Sequence, residues 1–269
     1  MDIHMNQAHL SREKTARRRH VPTVKKRKGR KLLLGLVCFL VVVYYFSAFI
    51  GSALVDKSKF AAFEDSLNKE SVVSVQQMPA YVEDAFVSIE DHRFNYHLGV
   101  DPIAIVRAIS KDVMSKGYVQ GGSTITMQLA KNNFLTNEKS LERKLKELFI
   151  AVHLERIYTK EEIMTAYLNT IYFGHGIYGI DEAAHFYFGK TVKENDPNLE
   201  TITLSEAAML AALPKAPEHY SPINDPELAI SRQAVVLKRM EKLHKISESE
   251  RLAATWTTIG EMTTVDRSA

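Results

Sequence analysis

The sequence predicts a mainly α-helical protein anchored by a single membrane-spanning helix. Three observations lead to this prediction: a long uncharged apolar segment near the N-terminus, apolar residues at helical spacing through most of the rest, and few segments with strand alternation. The 269 residues suffice for a substantial core. Because Cys38 is the only cysteine, an intrachain disulfide and a cysteine-based metal site are both excluded.

The segment Leu32 to Val55 is the predicted membrane span. It contains no charged residue and exceeds the roughly 20 residues that a helix needs to cross a bilayer. A cleaved signal peptide is the alternative, and the small residues Gly51, Ser52 and Ala53 would suit its cleavage site. The apolar regions of signal peptides are only about 7–15 residues long, which favours an uncleaved anchor.

The tail before this segment is strongly basic. Residues 1–31 contain eleven Lys or Arg residues and two acidic ones, whereas the whole chain carries a formal net charge of +3, so the remainder is acidic overall. A basic flank beside a span is typical of the cytoplasmic side, which places the rest of the chain, from Asp56 onward, outside the cell membrane. Since the positive charge is confined to the tail, no nucleic-acid partner is expected.

Beyond the span, the sequence divides into a charged juxtamembrane linker over 56–78, one helical domain over 79–245 and a polar C-terminal tail over 246–269 without an assigned role. Apolar spacing predicts helices over Tyr81–Glu90, Pro102–Met114, Thr124–Asn133, Leu141–Ile157, Lys160–Phe173, Leu204–Leu213 and Ala229–Lys245. Two of these helices begin with a capping box, Thr159 with Glu162 and Thr203 with Glu206.

The segment Gly121 to Asn132 has the composition of an anion site. Its glycines allow backbone N–H groups to face a ligand, Ser123 or Thr124 can cap the following helix, and Lys131 adds a positive charge. The alternative is an ordinary loop-to-helix junction with a capping hydroxyl and a solvated lysine.

Glu90 and Asp91 are adjacent carboxylates at the end of a predicted helix, among the apolar residues Phe86, Ile89 and Phe94. Partial desolvation and a neighbouring negative charge both raise a carboxyl pKa, so Glu90 is a candidate general base. A solvated pair at a helix end is the alternative interpretation.

A metal site is a weaker hypothesis for the turn that follows. It rests on His92, His97 and Asp101, but their spacing matches no zinc signature, and hydrogen bonding within the loop accounts for them equally.

Arg143 and Glu147 are one helical turn apart and share a face of the predicted helix Leu141–Ile157. Glu147 could hold the Arg143 guanidinium ready for phosphate oxygens, although a surface ion pair is the ordinary interpretation of such spacing. The apolar positions of this helix predict a buried stripe formed by Leu141, Leu145, Leu148, Phe149 and Val152.

Taken together, five segments resemble the motifs of the peptidoglycan glycosyltransferases of family 51, in the family's order. They are Glu90–Asp101, Gly121–Asn132, Arg143–Glu147, Tyr167–Gly174 and Ser205–Pro217. The similarity runs from about Pro79 to Pro222, with small departures at Asn95 and Met127. The penicillin-binding motifs S-x-x-K, S-x-N and K-T-G are absent as a set, so the resemblance indicates a monofunctional polymerase.

This resemblance implies a lysozyme-like helical head with a small membrane-facing jaw. It implies an enzyme that polymerises lipid II into peptidoglycan strands outside the membrane, inverting the anomeric centre and releasing undecaprenyl pyrophosphate. The implied partners are lipid II, the growing lipid-linked glycan, the membrane and other cell-wall synthesis proteins.

The resemblance also assigns roles to residues. Glu90 would be the general base, Lys131 and Arg143 would stabilise the leaving group, and Glu147 would either orient Arg143 or help to hold a divalent cation, Mg²⁺ or Mn²⁺. The substrate contacts would be Asp91, Phe94, Gly122, Ser123, Thr124, Gln128, Asn132 and Lys144.

Two other functions remain open at this stage. A lysozyme-like, glycan-cleaving enzyme could use Glu90 as an acid, but it would need a second carboxylate opposite and would have no use for Lys131 and Arg143. A non-catalytic cell-wall scaffold would have no reason to retain the polar set. Apolar residues in Val100–Val119 could face lipid, although a helical stripe is more often core, which is the interpretation favoured here.

Overall fold

A computed structural model describes residues 25–115, 121–136, 138 and 140–261. Most of the predicted basic tail, the end of Val100–Val119 and the last eight residues of the predicted C-terminal tail lie outside this described part. The chain divides into two compact units, residues 1–43 and 44–269.

Helix α1, Lys25–Leu54, accounts for the whole described part of the first unit and continues into the second. Within the described chain, one helix is long and apolar enough to cross a membrane: its residues Lys31–Leu54 have a mean hydropathy of 2.5, and most of their side chains are exposed. Its length and composition match the predicted span Leu32 to Val55.

The second unit is mainly helical, as predicted. Its helices in the described residues are α2 Lys57–Leu67, α3 Ala80–Glu90, α4 Pro102–Ser115, α5 Ile125–Phe134, α6 Leu141–Ile157, α7 Lys160–Thr170, α8 Ile180–Phe188, α9 Leu204–Ala212, α10 Pro226–Lys242 and α11 Glu248–Glu261. A short antiparallel pair, β1 Tyr172–Gly174 and β2 Ile177–Tyr178, separates α7 from α8.

One hydrophobic core contains residues of α2, α3 and α5 to α11. It includes Phe86 of α3, Leu129 of α5, Leu154 of α6, Tyr167 of α7 and Leu210 of α9, none of which has accessible surface. Burying large apolar side chains in this way is the main stabilising contribution to the fold, and it fixes the helices that carry the polar motifs.

Helix starts are the best-predicted local features. Both predicted capping boxes are confirmed: Thr159 and Glu162 bond reciprocally at the start of α7, as do Thr203 and Glu206 at the start of α9. The predicted helix Lys160–Phe173 is too long, however, because α7 ends at Thr170 and the chain then forms β1.

The segment 56–78, predicted to be a linker, forms helix α2 and contributes side chains to the core of the folded unit. The Asp56 side chain caps α2 by accepting hydrogen bonds from the backbone N–H groups of Ser58 and Lys59. Phe63 of α2 and Val73 are buried in the common core. The many charged residues of this segment predict an exposed linker, and composition alone does not indicate that its apolar residues are buried.

The described part of the predicted tail over 246–269 forms α11. Ser247 and Glu250 make a reciprocal cap, in which each side chain accepts a hydrogen bond from the other's backbone N–H. Ile246 and Ala254 pack into the core. The S-x-x-E pattern at 247–250 was available in the sequence as a signal for this helix.

The turn between β1 and β2 requires left-handed backbone at three consecutive residues. Gly174, His175 and Gly176 have φ values of 92°, 53° and 79°. Glycine adopts this region without steric cost, whereas His175 is held there while its ring bonds to the Ser221 hydroxyl at 2.7 Å. The hairpin was not predicted, since a helical pattern was extended through β1.

The predicted stripe of α6 is wrong at its start. Leu141 and Leu145 are 81% and 57% exposed, whereas the buried face of the helix carries Glu147, Ile150 and Leu154. The buried face includes the charged residue Glu147, and a prediction from apolar spacing does not place a charged residue on a buried face. Likewise Ile103 and Val106 of α4 are each 64% exposed, so the core interpretation of their segment is wrong for these two side chains.

Candidate active site

Glu90 is the last residue of α3, and its partly buried side chain meets α5. Nε2 of Gln128 donates a hydrogen bond of 2.7 Å to Oε2 of Glu90. Burial raises the pKa of Glu90, and the smaller effect of Asp91 acts in the same direction, whereas the Gln128 hydrogen bond and the charges of Arg232 and Lys215 oppose it. A carboxylate with a raised pKa is suited to accept a proton at neutral pH.

Asp91 has a different environment although it is the next residue. It is buried, its Oδ2 accepts a hydrogen bond of 3.1 Å from the backbone N–H of Ile125, and it lies 2.8 Å from Nε2 of His97. Asp91 therefore ties α3 to the start of α5 and is a structural residue.

The start of α5 is not an open anion site, contrary to the prediction for this segment. Thr124 caps the helix, accepting from the N–H of Met127 at 3.1 Å, and Asp91 takes the N–H of Ile125. Because two of the N–H groups at the helix start already have buried partners, they are not free for a substrate phosphate.

A cluster of cations lies beside this helix instead. Arg143 and Lys144 of α6 both contact Glu147, which is only 2% exposed; Arg143 donates to Oε1, and Lys144 lies 2.7 Å from Oε2. Nζ of Lys144 also donates to the Ser123 hydroxyl at 2.6 Å. The predicted ion pair of Arg143 with Glu147 is thus present, and Lys144 joins it.

Lys131 of α5 links the cluster to Glu90 electrostatically. Burial and the charge of Arg143 lower the pKa of Lys131, while Glu90 raises it, so both groups are near enough for their charges to act on it. The pKa of Lys144 is lowered to about 8 by burial first, then by Arg143 and Lys131. Arg143 and Lys144 share the Glu147 carboxylate, and Lys131 is near enough for the charge of Arg143 to act on it, so the cluster has an excess of positive charge that can bind phosphate oxygens.

The residues present do not fit a divalent cation. Each carboxylate oxygen of Glu147 already contacts a cation, Asp101 is held in a bidentate pair by Arg93, and His97 is bonded to Asp91. No group of three His, Cys, Asp or Glu residues in the described part of the chain is arranged to hold a metal ion. Of the two roles left open for Glu147, the geometry supports orientation of the cations.

The other predicted contacts divide between the site and the core. Gln128 and Ser123 contact Glu90 and Lys144, respectively, and Asn132 is exposed on α5. Phe94, a predicted substrate contact, has a ring that is completely buried beneath the Lys160 ammonium. Gly122 packs closely on α4, where an added Cβ would lie 3.2 Å from that of Ala108.

Three residues near Glu90 were missed by the sequence analysis. Lys215 follows α9, Arg232 lies on α10, and the hydroxyl of Tyr167 in α7 donates to Oε1 of Gln128 at 3.2 Å. Lys215 and Tyr167 fall within motif-like segments, which was the available signal, whereas the sequence around Arg232 resembles any amphipathic helix.

Comparison with known proteins finds one family and several relatives that this chain resembles. The transglycosylase family model matches residues 56–241. Penicillin-binding protein 1F of Bacillus subtilis is 41% identical over 245 residues, which are 85% of this chain and 33% of that protein. Penicillin-binding protein 1A of Aquifex aeolicus is 51% identical over 174 residues, covering 65% of this chain and 23% of that protein.

A relative of similar length is also found. The monofunctional glycosyltransferase of Staphylococcus haemolyticus is 40% identical over 228 residues, covering 84% of this chain and 83% of that protein. This chain therefore spans a third or less of the two penicillin-binding proteins but most of the monofunctional relative.

Proposed function

The chain belongs to the transglycosylase family, and from this premise we propose that it polymerises lipid II into linear peptidoglycan strands, with undecaprenyl pyrophosphate as the leaving group. The observation that carries the proposal is the pairing of one partly buried carboxylate, Glu90, with a cation cluster built on the buried Glu147. Glycosyl transfer from a lipid pyrophosphate needs both a base and positive charge at the leaving group.

Glu90 acts as the general base in the proposed reaction. It accepts the proton of the acceptor sugar's 4-hydroxyl while that oxygen forms a bond to the donor's anomeric carbon. The bond from this carbon to the pyrophosphate oxygen breaks, the electron pair leaves with the pyrophosphate, and the anomeric configuration is inverted. Burial raises the pKa of Glu90, which increases its affinity for the proton it must take.

Lys131, Arg143 and Lys144 act on the leaving group. Negative charge grows on the pyrophosphate oxygens as the glycosidic bond breaks, and fixed cations stabilise that charge without reorganising. Glu147 contributes by holding Arg143 and Lys144 in place. No divalent cation is part of this proposal, since the residues present do not fit one.

A glycan-cleaving activity is less well supported. Such an enzyme would pair Glu90 with a second free carboxylate, but Glu147 is neutralised by two cations and Asp91 is bonded within the protein. A scaffold without catalysis gives no reason for a partly buried carboxylate to lie near Lys131 and the cations beside it.

The membrane helix α1 fits this function because the substrate never leaves the bilayer. An anchored enzyme meets a membrane-bound substrate at high effective concentration. The basic residues before α1 support an orientation with the N-terminus in the cytoplasm and the glycosyltransferase unit outside.

The test is polymerisation of labelled lipid II by the detergent-solubilised full chain, with products resolved by gel electrophoresis. We expect a ladder of glycan strands from the wild type and none from Glu90→Gln. Glu83→Gln is the matched control, because Glu83 is also in α3 and burial also raises its pKa, and it should leave the ladder intact.

Two results would contradict the proposal. A normal ladder from Glu90→Gln would remove Glu90 as the base. Cleavage of preformed glycan, without polymerisation, by the folded wild type would favour the lytic function instead.

A further inference from the structure

Gln128 connects Glu90 to a tyrosine that lies entirely within the core. One side of the Gln128 amide donates to Oε2 of Glu90 at 2.7 Å, and the other accepts from the Tyr167 hydroxyl at 3.2 Å. Tyr167 has no accessible surface, and its ring packs edge-on against Phe86, 6.3 Å away between centroids. Tyr167 is thus fixed by packing and is far too buried to touch a substrate.

The protonation state of Tyr167 determines which way round the Gln128 amide is oriented. Burial, followed by the charges of Glu90 and Asp91, raises the pKa of Tyr167 well above its ordinary value, so its hydroxyl keeps its proton. A phenol that donates to Gln128 must meet the amide oxygen, which leaves the amide NH₂ facing Glu90. The opposite amide orientation would place its oxygen against the Glu90 carboxylate, where the two would repel.

The fixed amide orientation determines which oxygen of Glu90 accepts a hydrogen bond from Gln128. In the described part of the chain, Gln128 is the sole hydrogen-bond donor to the Glu90 carboxylate, and it uses Oε2 alone. A bond donated to the ionised form favours ionisation and opposes the effect of burial. Among the described residues, none donates to Oε1, which can take the proton of an acceptor hydroxyl.

We propose that Tyr167 is a positioning residue for the general base, acting by locking the Gln128 amide so that its NH₂ holds Oε2 of Glu90 and leaves Oε1 for the substrate. The proposal rests on the proposed function for the identity of the proton donor, but the hydrogen-bond relay itself can be tested without catalysis.

Other groups act on Glu90 and must stay constant in the test. Besides Tyr167 itself, the charged or titratable groups around it, from each neighbouring element, are Asp91 after α3, Lys131 of α5, Lys215 after α9 and Arg232 of α10. Replacing Tyr167 by Phe alters none of these charges and preserves the ring that fills the core.

The experiment is a pH titration of Glu90 in the full-length protein by infrared difference spectroscopy. The carbonyl band of protonated Glu90 is assigned by its absence in Glu90→Gln. In Tyr167→Phe, we expect the titration to move to higher pH by about one unit, because the ionised form loses its fixed donor. The acidic limb of the pH profile of kcat/KM should move by the same amount, with KM within twofold of the wild type.

Two further variants make the test specific. Tyr187→Phe is the matched control: Tyr187 is also buried, its hydroxyl donates to the Phe173 carbonyl at 2.8 Å, and its loss should not move the titration. In Gln128→Leu, Glu90 should already titrate at higher pH, and adding Tyr167→Phe should cause no further shift. If Tyr167→Phe does not fold, Gln128→Leu alone still tests the relay.

The infrared titration tests the positioning role of Tyr167, and the polymerisation assay tests the proposed function. An unmoved Glu90 titration in Tyr167→Phe, or an additional shift in the Gln128→Leu background, overturns the positioning role whatever the activity. A wild type that does not polymerise lipid II overturns the proposed function, while the infrared titration still decides whether Tyr167 positions Glu90.

Discussion

At the scale of single residues, the adjacent carboxylates Glu90 and Asp91 have separate tasks. Asp91 is bonded to the backbone of α5 and to His97, so it holds the fold together. Glu90 has one amide donor and a raised pKa, and it remains available for proton transfer. The hydrogen-bond partners of each side chain, and not its position in the motif, show which of the two carboxylates is available to accept a proton.

The different surroundings of the two carboxylates predict that one substitution lowers stability and the other abolishes activity. Asp91→Ala should lower the free energy of unfolding by about 2–4 kcal/mol, because the Ile125 N–H and the His97 ring lose their buried partner. Glu90→Gln should change stability by less than about 1 kcal/mol while abolishing polymerisation. Thermal unfolding in one detergent, followed by circular dichroism, measures both, and equal stability losses would contradict the division.

Lys144 gives a prediction for alkaline pH. Its pKa is lowered to about 8, so it loses its positive charge as the pH rises through that value. The wild-type kcat/KM should therefore fall by about tenfold between pH 7 and 9.5, the loss expected for one charge-assisted contact with pyrophosphate.

Arginine at this position tests the explanation. Lys144→Arg keeps its charge over this range and should retain activity to higher pH. Lys146→Arg, on the same helix but paired with the exposed Glu142, is the control and should follow the wild-type profile. An alkaline limb that is the same in all three proteins would show that Lys144 does not cause it.

At the scale of elements, local signals predicted the helices whose ends are set locally. The capping boxes at Thr159 and Thr203 place α7 and α9 correctly, because the cap and its partner are three residues apart. The buried face of α6 could not be predicted in this way. It includes Glu147, whose burial depends on cations at 143 and 144 and on packing against α5, and an apolar pattern carries no information about such partners.

The crossing of α1 and α6 gives a prediction at this scale. A Cβ added at Gly51 would lie 2.1 Å from the carbonyl oxygen of Phe149, so only glycine allows the end of α1 to approach α6 so closely. Gly51→Ala should destabilise the protein by about 1–3 kcal/mol, because the helices must move apart.

Gly35 supplies the matched control in the same helix. An added Cβ there meets nothing within 4 Å, so Gly35→Ala should leave stability unchanged or raise it slightly, as alanine favours helix. Thermal unfolding in detergent measures both variants. A Gly51→Ala protein as stable as Gly35→Ala would show that the close approach is unimportant.

Across the chain as a whole, the sequence motifs predict which residues form the candidate site but not their geometry. Glu90, Lys131, Arg143 and Glu147 were all identified from motifs, and the structure brings α3, α5 and α6 together around them. The role of Tyr167 could not be predicted, because it depends on a hydrogen bond between residues 39 positions apart. The packing of 56–78 into the folded unit could not be predicted for the same reason, since the core contacts of this segment are made with distant segments.

Helix α4 has exposed apolar side chains. Ile103 and Val106 are three residues apart, so they share one face of the helix, and each is 64% exposed. Exposed apolar side chains on an anchored protein can enter the lipid surface and hold the glycosyltransferase unit beside its substrate. Replacing both by Asn should slow polymerisation of lipid II in vesicles by about threefold to tenfold, because this contact is lost while α1 keeps the protein on the membrane.

Activity on lipid II in detergent micelles separates this effect from damage to the active site. The double variant should polymerise at a rate within twofold of the wild type there, since exposed substitutions seldom alter stability. Val235→Asn with Leu252→Asn is the control, because these residues of α10 and α11 are 47% and 45% exposed. If both double variants slow the vesicle reaction equally, the face of α4 has no special contact with lipid; if only the α4 variant does, and only in vesicles, that face is the part of the unit that meets the membrane.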